Sequence, residues 1–139
     1  MTKIVSLFLL FGLASTSFAK TFSQCELVHE LKTQGFPENQ IKNLVCLIGA
    51  SSSFRTHVIG GPDKDGSHNY GLFQINDRYW CSSGAEPGND CNVRCDDLLG
   101  DDITPSSNCA KIILSKRGLK AWVGWVKECK GKSLPELNC

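Results

Sequence analysis

Eight cysteines, at positions 25, 46, 81, 91, 95, 109, 129 and 139, limit what this 139-residue chain can fold into more than any other feature. All of them follow an N-terminus with the form of a secretory signal. Lys3 supplies a positive start, Ile4 to Leu13 is apolar except for Ser6 and Gly12, and Ser17-Phe18-Ala19 places small residues where a signal peptidase reads. Residues 1–19 are therefore expected to be removed, leaving a mature domain over 20–139. An even number of cysteines in a short exported chain implies a disulfide framework. Zinc is the competing reading, because Cys91 and Cys95 sit close together, but metal sites show two tight pairs and the other cysteines are scattered. Spacing alone selects no pairing among the many that eight cysteines allow.

The apolar leader is shorter than the roughly 20 residues a membrane-spanning helix needs, and no later segment approaches that length. A secreted, extracellular protein without a membrane partner is expected. The remaining length suits one domain and not two. Without Lys3 the chain carries 14 basic and 14 acidic side chains, so it has no bulk attraction to nucleic acid or to bacterial envelopes. No Asn-x-Ser/Thr glycosylation site is present.

Ser23-Gln24-Cys25-Glu26 has the form of a capping box, and Cys25, Val28 and Leu31 then recur at helical spacing until Gly35. Pro37 suits the first position of a second helix, whose apolar stripe is Ile41, Leu44, Val45 and Ile48. Beyond Phe54 the pattern changes to turns, at Gly60-Gly61-Pro62 and Asp65-Gly66, with Tyr70 to Ile75 reading as a strand. Thr104-Pro105 opens a third helix with Cys109, Ile112 and Ile113 inward. A fourth runs from about Leu119 to Lys127, with Trp122, Val123 and Val126 on one face. The fold class expected is α+β, with helices at both ends of the chain and a small antiparallel sheet between them.

Several segments, in order, resemble the c-type lysozymes and their relatives. They include Cys25-Glu26-Leu27, the run from Asp65-Gly66-Ser67 to Gln74-Ile75-Asn76, Arg78-Tyr79-Trp80-Cys81, Cys91-Asn92-Val93-Arg94-Cys95, Asn108-Cys109-Ala110-Lys111 and Ala121-Trp122-Val123-Gly124-Trp125. The wording around Val58-Ile59-Gly60-Gly61-Pro62 looks most like the arthropod branch. The resemblance implies a helical lobe beside a sheet lobe and four disulfides, Cys25–Cys139, Cys46–Cys129, Cys81–Cys95 and Cys91–Cys109. A monomer is expected.

Cleaving a glycosidic bond takes a proton for the leaving oxygen and negative charge beneath the developing oxocarbenium ion, and lysozyme is the type case in which two carboxyl groups supply them. The resemblance places the acid five residues after Cys46 and the second carboxylate immediately before Tyr70-Gly71. Those positions are Ser51 and Asn69. A serine hydroxyl is too weak an acid to donate near neutral pH, and an asparagine amide carries no charge. Asp63, Asp65 and His68 are the nearest titratable groups. Asp65 reads as the turn residue of Asp-Gly, and His68 should point away from the face of Asn69. The resulting expectation is that the chain has no catalytic residues and is not an enzyme.

The sugar-contacting positions implied by the resemblance are Gln74, Asn76, Tyr79, Trp80, Ala121 and Trp122. Flat rings cover the apolar face of an N-acetyl sugar while amides bond its acetamido group. The alternative for these residues is structural, with Trp122 in the core and the amides satisfying sheet backbone. Calcium, bound by α-lactalbumins between the equivalents of Cys95 and Cys109, is not expected, because Gly100, Pro105 and Ser106 replace aspartates and only Asp101 and Asp102 remain. No cofactor or metal is expected. The leading functional expectation is a secreted, non-catalytic protein that binds peptidoglycan-like or chitin-like polysaccharide, or a protein partner, in defence, gut or reproductive fluid. The alternatives are a residual muramidase using another acid, and a lactalbumin-like regulatory subunit.

Overall fold

A computed structural model describes residues 19–139. The expected signal at 1–19 lies, apart from Ala19, outside the described residues. Among those residues no helix is long and apolar enough to cross a membrane.

The first helix, α1, spans Gln24–Thr33 and starts as its sequence dictates: Ser23 Oγ accepts the Glu26 backbone N–H and Glu26 Oε1 accepts that of Ser23, both at 3.2 Å. The Ser23 side chain first, and its backbone N–H second, hold the Glu26 carboxyl below the usual carboxylate range. Leu27, Val28 and Leu31 form its buried face. Pro37 is extended and precedes a single 3₁₀ turn, Glu38–Gln40, so the second helix, α2, begins later than the proline suggests, at Ile41–Ser52. Ile41, Leu44, Val45, Leu47 and Ile48 of α2 are buried. Two left-handed residues, Ser53 and Phe54, then turn the chain back, and the Phe54 ring lies over Gly49, where a Cβ would stand 3.1 Å from it. That contact fixes the end of α2, which carries Ser51.

The sheet is smaller than the sequence implies. Its strands are β1 (Ile59–Gly60), β2 (Asn69–Tyr70) and β3 (Ile75–Asn76), antiparallel in that order, with Asn69 opposite both Gly60 and Asn76. The single strand expected over Tyr70 to Ile75 is instead two strands joined by a turn. Gly71 and Gln74 both have positive φ, and the Gln74 N–H donates to the Gly71 carbonyl at 3.0 Å. A Cβ on Gly71 would collide with the Leu98 carbonyl, so the turn needs glycine there and carries Leu72 and Phe73 into the core.

Thr104–Arg117 forms α3, with Cys109 and Ile113 buried and Ile112 only half-buried, at the edge of the expected inward face. The expected fourth helix breaks at its middle. Leu119–Ala121 is a 3₁₀ turn, Trp122 is extended, and α4 is Val123–Glu128. The shared face expected for Trp122, Val123 and Val126 is lost with the break: Trp122 is buried, whereas Val123 is 64% and Val126 41% exposed.

The structure joins Cys25 to Cys139, Cys46 to Cys129, Cys81 to Cys95 and Cys91 to Cys109. Cys46–Cys129 clamps α2 to the end of α4, and Trp125 Nε1 donates to Asn43 Oδ1 across the same helix pair at 3.0 Å. One core runs through the helices and under the sheet, with Leu27, Leu44, Leu47, Phe73, Leu98 and Ile113 almost fully buried. At about 25 cal/mol per Å² of apolar surface removed from water, this burial supplies the main favourable contribution to folding.

Candidate functional site

A cleft of about 460 Å³ lies between the sheet and the ends of α2, α3 and α4. It brings together every site position expected from the sequence: Ser51, Asn69, Gln74, Asn76, Tyr79, Trp80, Ala121 and Trp122. Its volume falls within the roughly 300–1,000 Å³ of small-ligand sites.

The helical wall is packed. Trp122 is extended at the break before α4, and its buried Nε1 donates to the Phe73 carbonyl at 2.7 Å. The indole therefore faces the cleft while its polar atom is spent on the core, so its two possible roles coexist. Ser51 lies on the last turn of α2 against Gly124, where a Cβ would stand 3.3 Å from the Ser51 hydroxyl. A side chain at residue 124 would press on Ser51 and Ala50, so glycine eases the close approach of α4 to α2 here.

The sheet wall is polar. Asn76 Nδ2 donates to Ser67 Oγ at 2.8 Å and to Asn69 Oδ1 at 3.0 Å, while Asn76 Oδ1 accepts the Arg78 N–H at 2.8 Å. Asn69 Nδ2 donates to Asp63 Oδ2 at 3.0 Å. Gln74 is committed differently: its Nε2 donates to the carbonyls of Val58 and Gly71, both at 3.0 Å. Its amide nitrogen braces the sheet and is not free for a ligand. Tyr79 is half exposed at the cleft edge, with the Arg78 guanidinium 5.2 Å from its ring centre. Trp80 is buried and lines the cleft.

Three charged side chains line the cleft, Asp63 and Asp65 on the sheet side and Arg117 at the end of α3. Sequence reasoning passed over Arg117, although the Lys116-Arg117-Gly118 run at a helix end is a visible signal. Asp65 accepts hydrogen bonds from the Ser67 hydroxyl and backbone N–H and pairs with Arg78 at 2.9 Å. The Ser67 bond, reinforced by the guanidinium, holds its carboxyl well below the usual carboxylate range. Asp65 is thus locked in the charged form and cannot serve as a proton donor near neutral pH. His68 does not line the cleft. Among the described residues no group of three or more acidic, histidine or cysteine side chains is placed to hold a metal ion. The Asp102 carboxylate instead accepts the Thr104 N–H at the start of α3, at 2.9 Å.

The family model described as C-type lysozyme/alpha-lactalbumin family matches residues 20–139. Over 138 residues the chain is 51% identical to a lysozyme of Bombyx mori, covering 99% of this chain and 98% of that one. It is 49% identical over 119 residues to a lysozyme of Galleria mellonella, covering 86% and 98% respectively. The crystal structure of canine milk lysozyme superposes with a TM-score of 0.76 at 40% identity, over 83% of this chain and 93% of that one.

These relatives overturn the expectation that the chain is not an enzyme, because they are named for an enzyme and match it along nearly its whole length. The expectation equated two side chains, Ser51 and Asn69, with the whole reaction. The cleft as built also carries the carboxylate of Asp63 within one hydrogen bond of Asn69. The sheet and helices around the cleft, the four disulfides and the match over 20–139 together leave one assignment: the chain belongs to the C-type lysozyme/alpha-lactalbumin family.

Proposed function

We propose that residues 20–139 form a secreted lysozyme-type glycosidase. Its cleft takes peptidoglycan-type polysaccharide and cleaves β-1,4 bonds between N-acetylmuramic acid and N-acetylglucosamine. The observation that carries this reading is the cleft itself, which gathers Asn69, Asn76, Tyr79, Ala121 and Trp122 in a chain half identical to an insect lysozyme. Tyr79 offers an exposed ring for the apolar face of a sugar, and the amide of Asn69 offers donor and acceptor atoms for acetamido groups.

Residue 51 is serine, so the leaving oxygen receives no proton from that position and solvent has to supply it. General acid catalysis contributes about 10²–10⁴-fold, so turnover is expected to be slower by that factor than with a carboxyl group at position 51. The export motif at 1–19 supports secretion, and the wall polymer is met outside the cell.

The test is clearance of a Micrococcus cell-wall suspension by purified 20–139, with the Bombyx mori lysozyme alongside and pelleting of the walls to score binding. Pelleting together with slow clearance above the buffer blank is the expected result. Pelleting with no clearance over a prolonged incubation overturns the glycosidase reading. Absence from the pellet overturns the assignment of the cleft to wall polysaccharide.

A further inference from the structure

Hydrolysis in this cleft needs negative charge beside the sugar carbon that becomes cationic, and the amide of Asn69 carries none. The geometry points to Asp63 as the catalytic residue that supplies this charge, an inference that rests on the glycosidase reading above.

The hairpin between β1 and β2 places it. The Asp63 N–H donates to the Ser67 carbonyl at 2.8 Å and the Gly66 N–H donates to the Asp63 carbonyl at 2.9 Å, so the turn is closed around this residue. Its Oδ2 accepts from Asn69 Nδ2 at 3.0 Å, with Asn76 Nδ2 at 3.4 Å and Ser67 Oγ at 3.5 Å around it, their protons committed to shorter bonds. The Asn69 amide therefore aims this carboxylate oxygen, and the side chain lines the cleft.

The neighbouring carboxylate makes the assignment selective. Asp65 spends its charge on Arg78 and Ser67, whereas Asp63 takes part in no ion pair among the described residues. An anion held by a neutral amide keeps its field for a cation that forms nearby, and electrostatic groups of this kind act only when they are held in place beforehand. The charge thus stands one hydrogen bond from residue 69, and Asn69 acts as a positioning residue for it.

A substrate whose leaving group needs no proton isolates this role from the serine at 51. With a 2,4-dinitrophenyl β-glycoside of N,N′-diacetylchitobiose, the bond from C1 to the aryl oxygen breaks and both electrons leave with the phenolate. The Asp63 carboxylate offsets the positive charge on C1 and the ring oxygen. Water then adds its oxygen to C1 and releases one proton to solvent.

The experiment compares the native 20–139 protein, Asp63→Asn, and Asp63→Asn combined with Asn69→Asp. Phenolate release is followed together with the binding of N,N′,N″-triacetylchitotriose by tryptophan fluorescence. Release by the native protein, loss of about 10²–10³-fold in Asp63→Asn with Kd changed by less than about threefold, and recovery in the double variant are expected. Release unchanged in Asp63→Asn overturns this assignment and leaves the glycosidase reading standing. A parallel loss of release and of saccharide binding in Asp63→Asn makes Asp63 a binding residue and also overturns the assignment. No release by the native protein, while it still binds the trisaccharide, overturns both.

Discussion

The two walls of the cleft are held by different physics. On the helical side Ser51 and Trp122 are positioned by burial: Phe54 over Gly49, α4 against α2 through Gly124, and an indole bonded into the core. On the sheet side Asn69, Asn76 and Asp63 are held by hydrogen bonds among partly exposed side chains. Packing tolerates little change in shape, because interiors are filled at crystal-like density. A polar network tolerates a change of residue provided each donor still meets an acceptor. An asparagine can therefore stand at 69 beside an aspartate at 63 without disturbing the wall, and charge can shift by one hydrogen bond while the cleft keeps its shape.

The largest effect expected from testing this contrast is on rate. Ser51→Glu places a carboxyl on the packed wall beside Gly124 and should raise wall clearance by about 10²–10⁴-fold. The comparison is turbidity clearance by the variant and the native protein at equal concentration, with thermal melting as a check on folding. An unchanged rate in a folded variant would mean that position 51 does not face the scissile bond, and the contrast between the walls would lose its catalytic meaning.

Next in size is the cost of loosening the packed wall. Phe73 is fully buried, and its carbonyl accepts the Trp122 indole. Phe73→Ala is expected to cost about 3–5 kcal/mol, read as the shift in urea midpoint at constant slope. A loss below about 1 kcal/mol would show that the core relaxes into the space, against the rigid wall described above.

The smallest expected effect belongs to the polar wall and depends on pH. Because Ser67 and Arg78 hold the folded-state Asp65 carboxyl below its unfolded value, its contribution is complete above the ordinary carboxylate range. That contribution is lost as pH falls through the range toward the folded value. Melting temperatures from about pH 5 to about pH 2 should fall less steeply in Asp65→Asn than in the native protein. The side chain is well exposed and screened, so the difference should be modest. Parallel slopes would remove the ion pair from any role in holding the hairpin.

Much of the scaffold is legible in the residues alone. The capping box at Ser23 and Glu26 forms as written, because its two hydrogen bonds join residues three apart. The stripe of Ile41, Leu44, Val45 and Ile48 is buried as its period requires. The site positions from Ser51 to Trp122 also converge on one cleft. The misreadings fall where distant contacts decide. The run from Tyr70 to Ile75 looks like one strand, but the approach of the Leu98 carbonyl to Gly71 makes it two strands and a turn. Val123 and Val126 look like core residues, but the extended Trp122 turns α4 so that both are exposed.

What the sequence by itself determined is the α+β class, the family and the identities of Ser51 and Asn69, all of which rest on local order and residue type. Only the tertiary structure decided which carboxylate stands beside Asn69 and which is tied up in an ion pair. Asp63 and Asp65 are two residues apart and chemically alike, yet the hairpin turns one toward Asn69 and the other toward Arg78. Charge acts through distance and surroundings, and both are set by the folded chain.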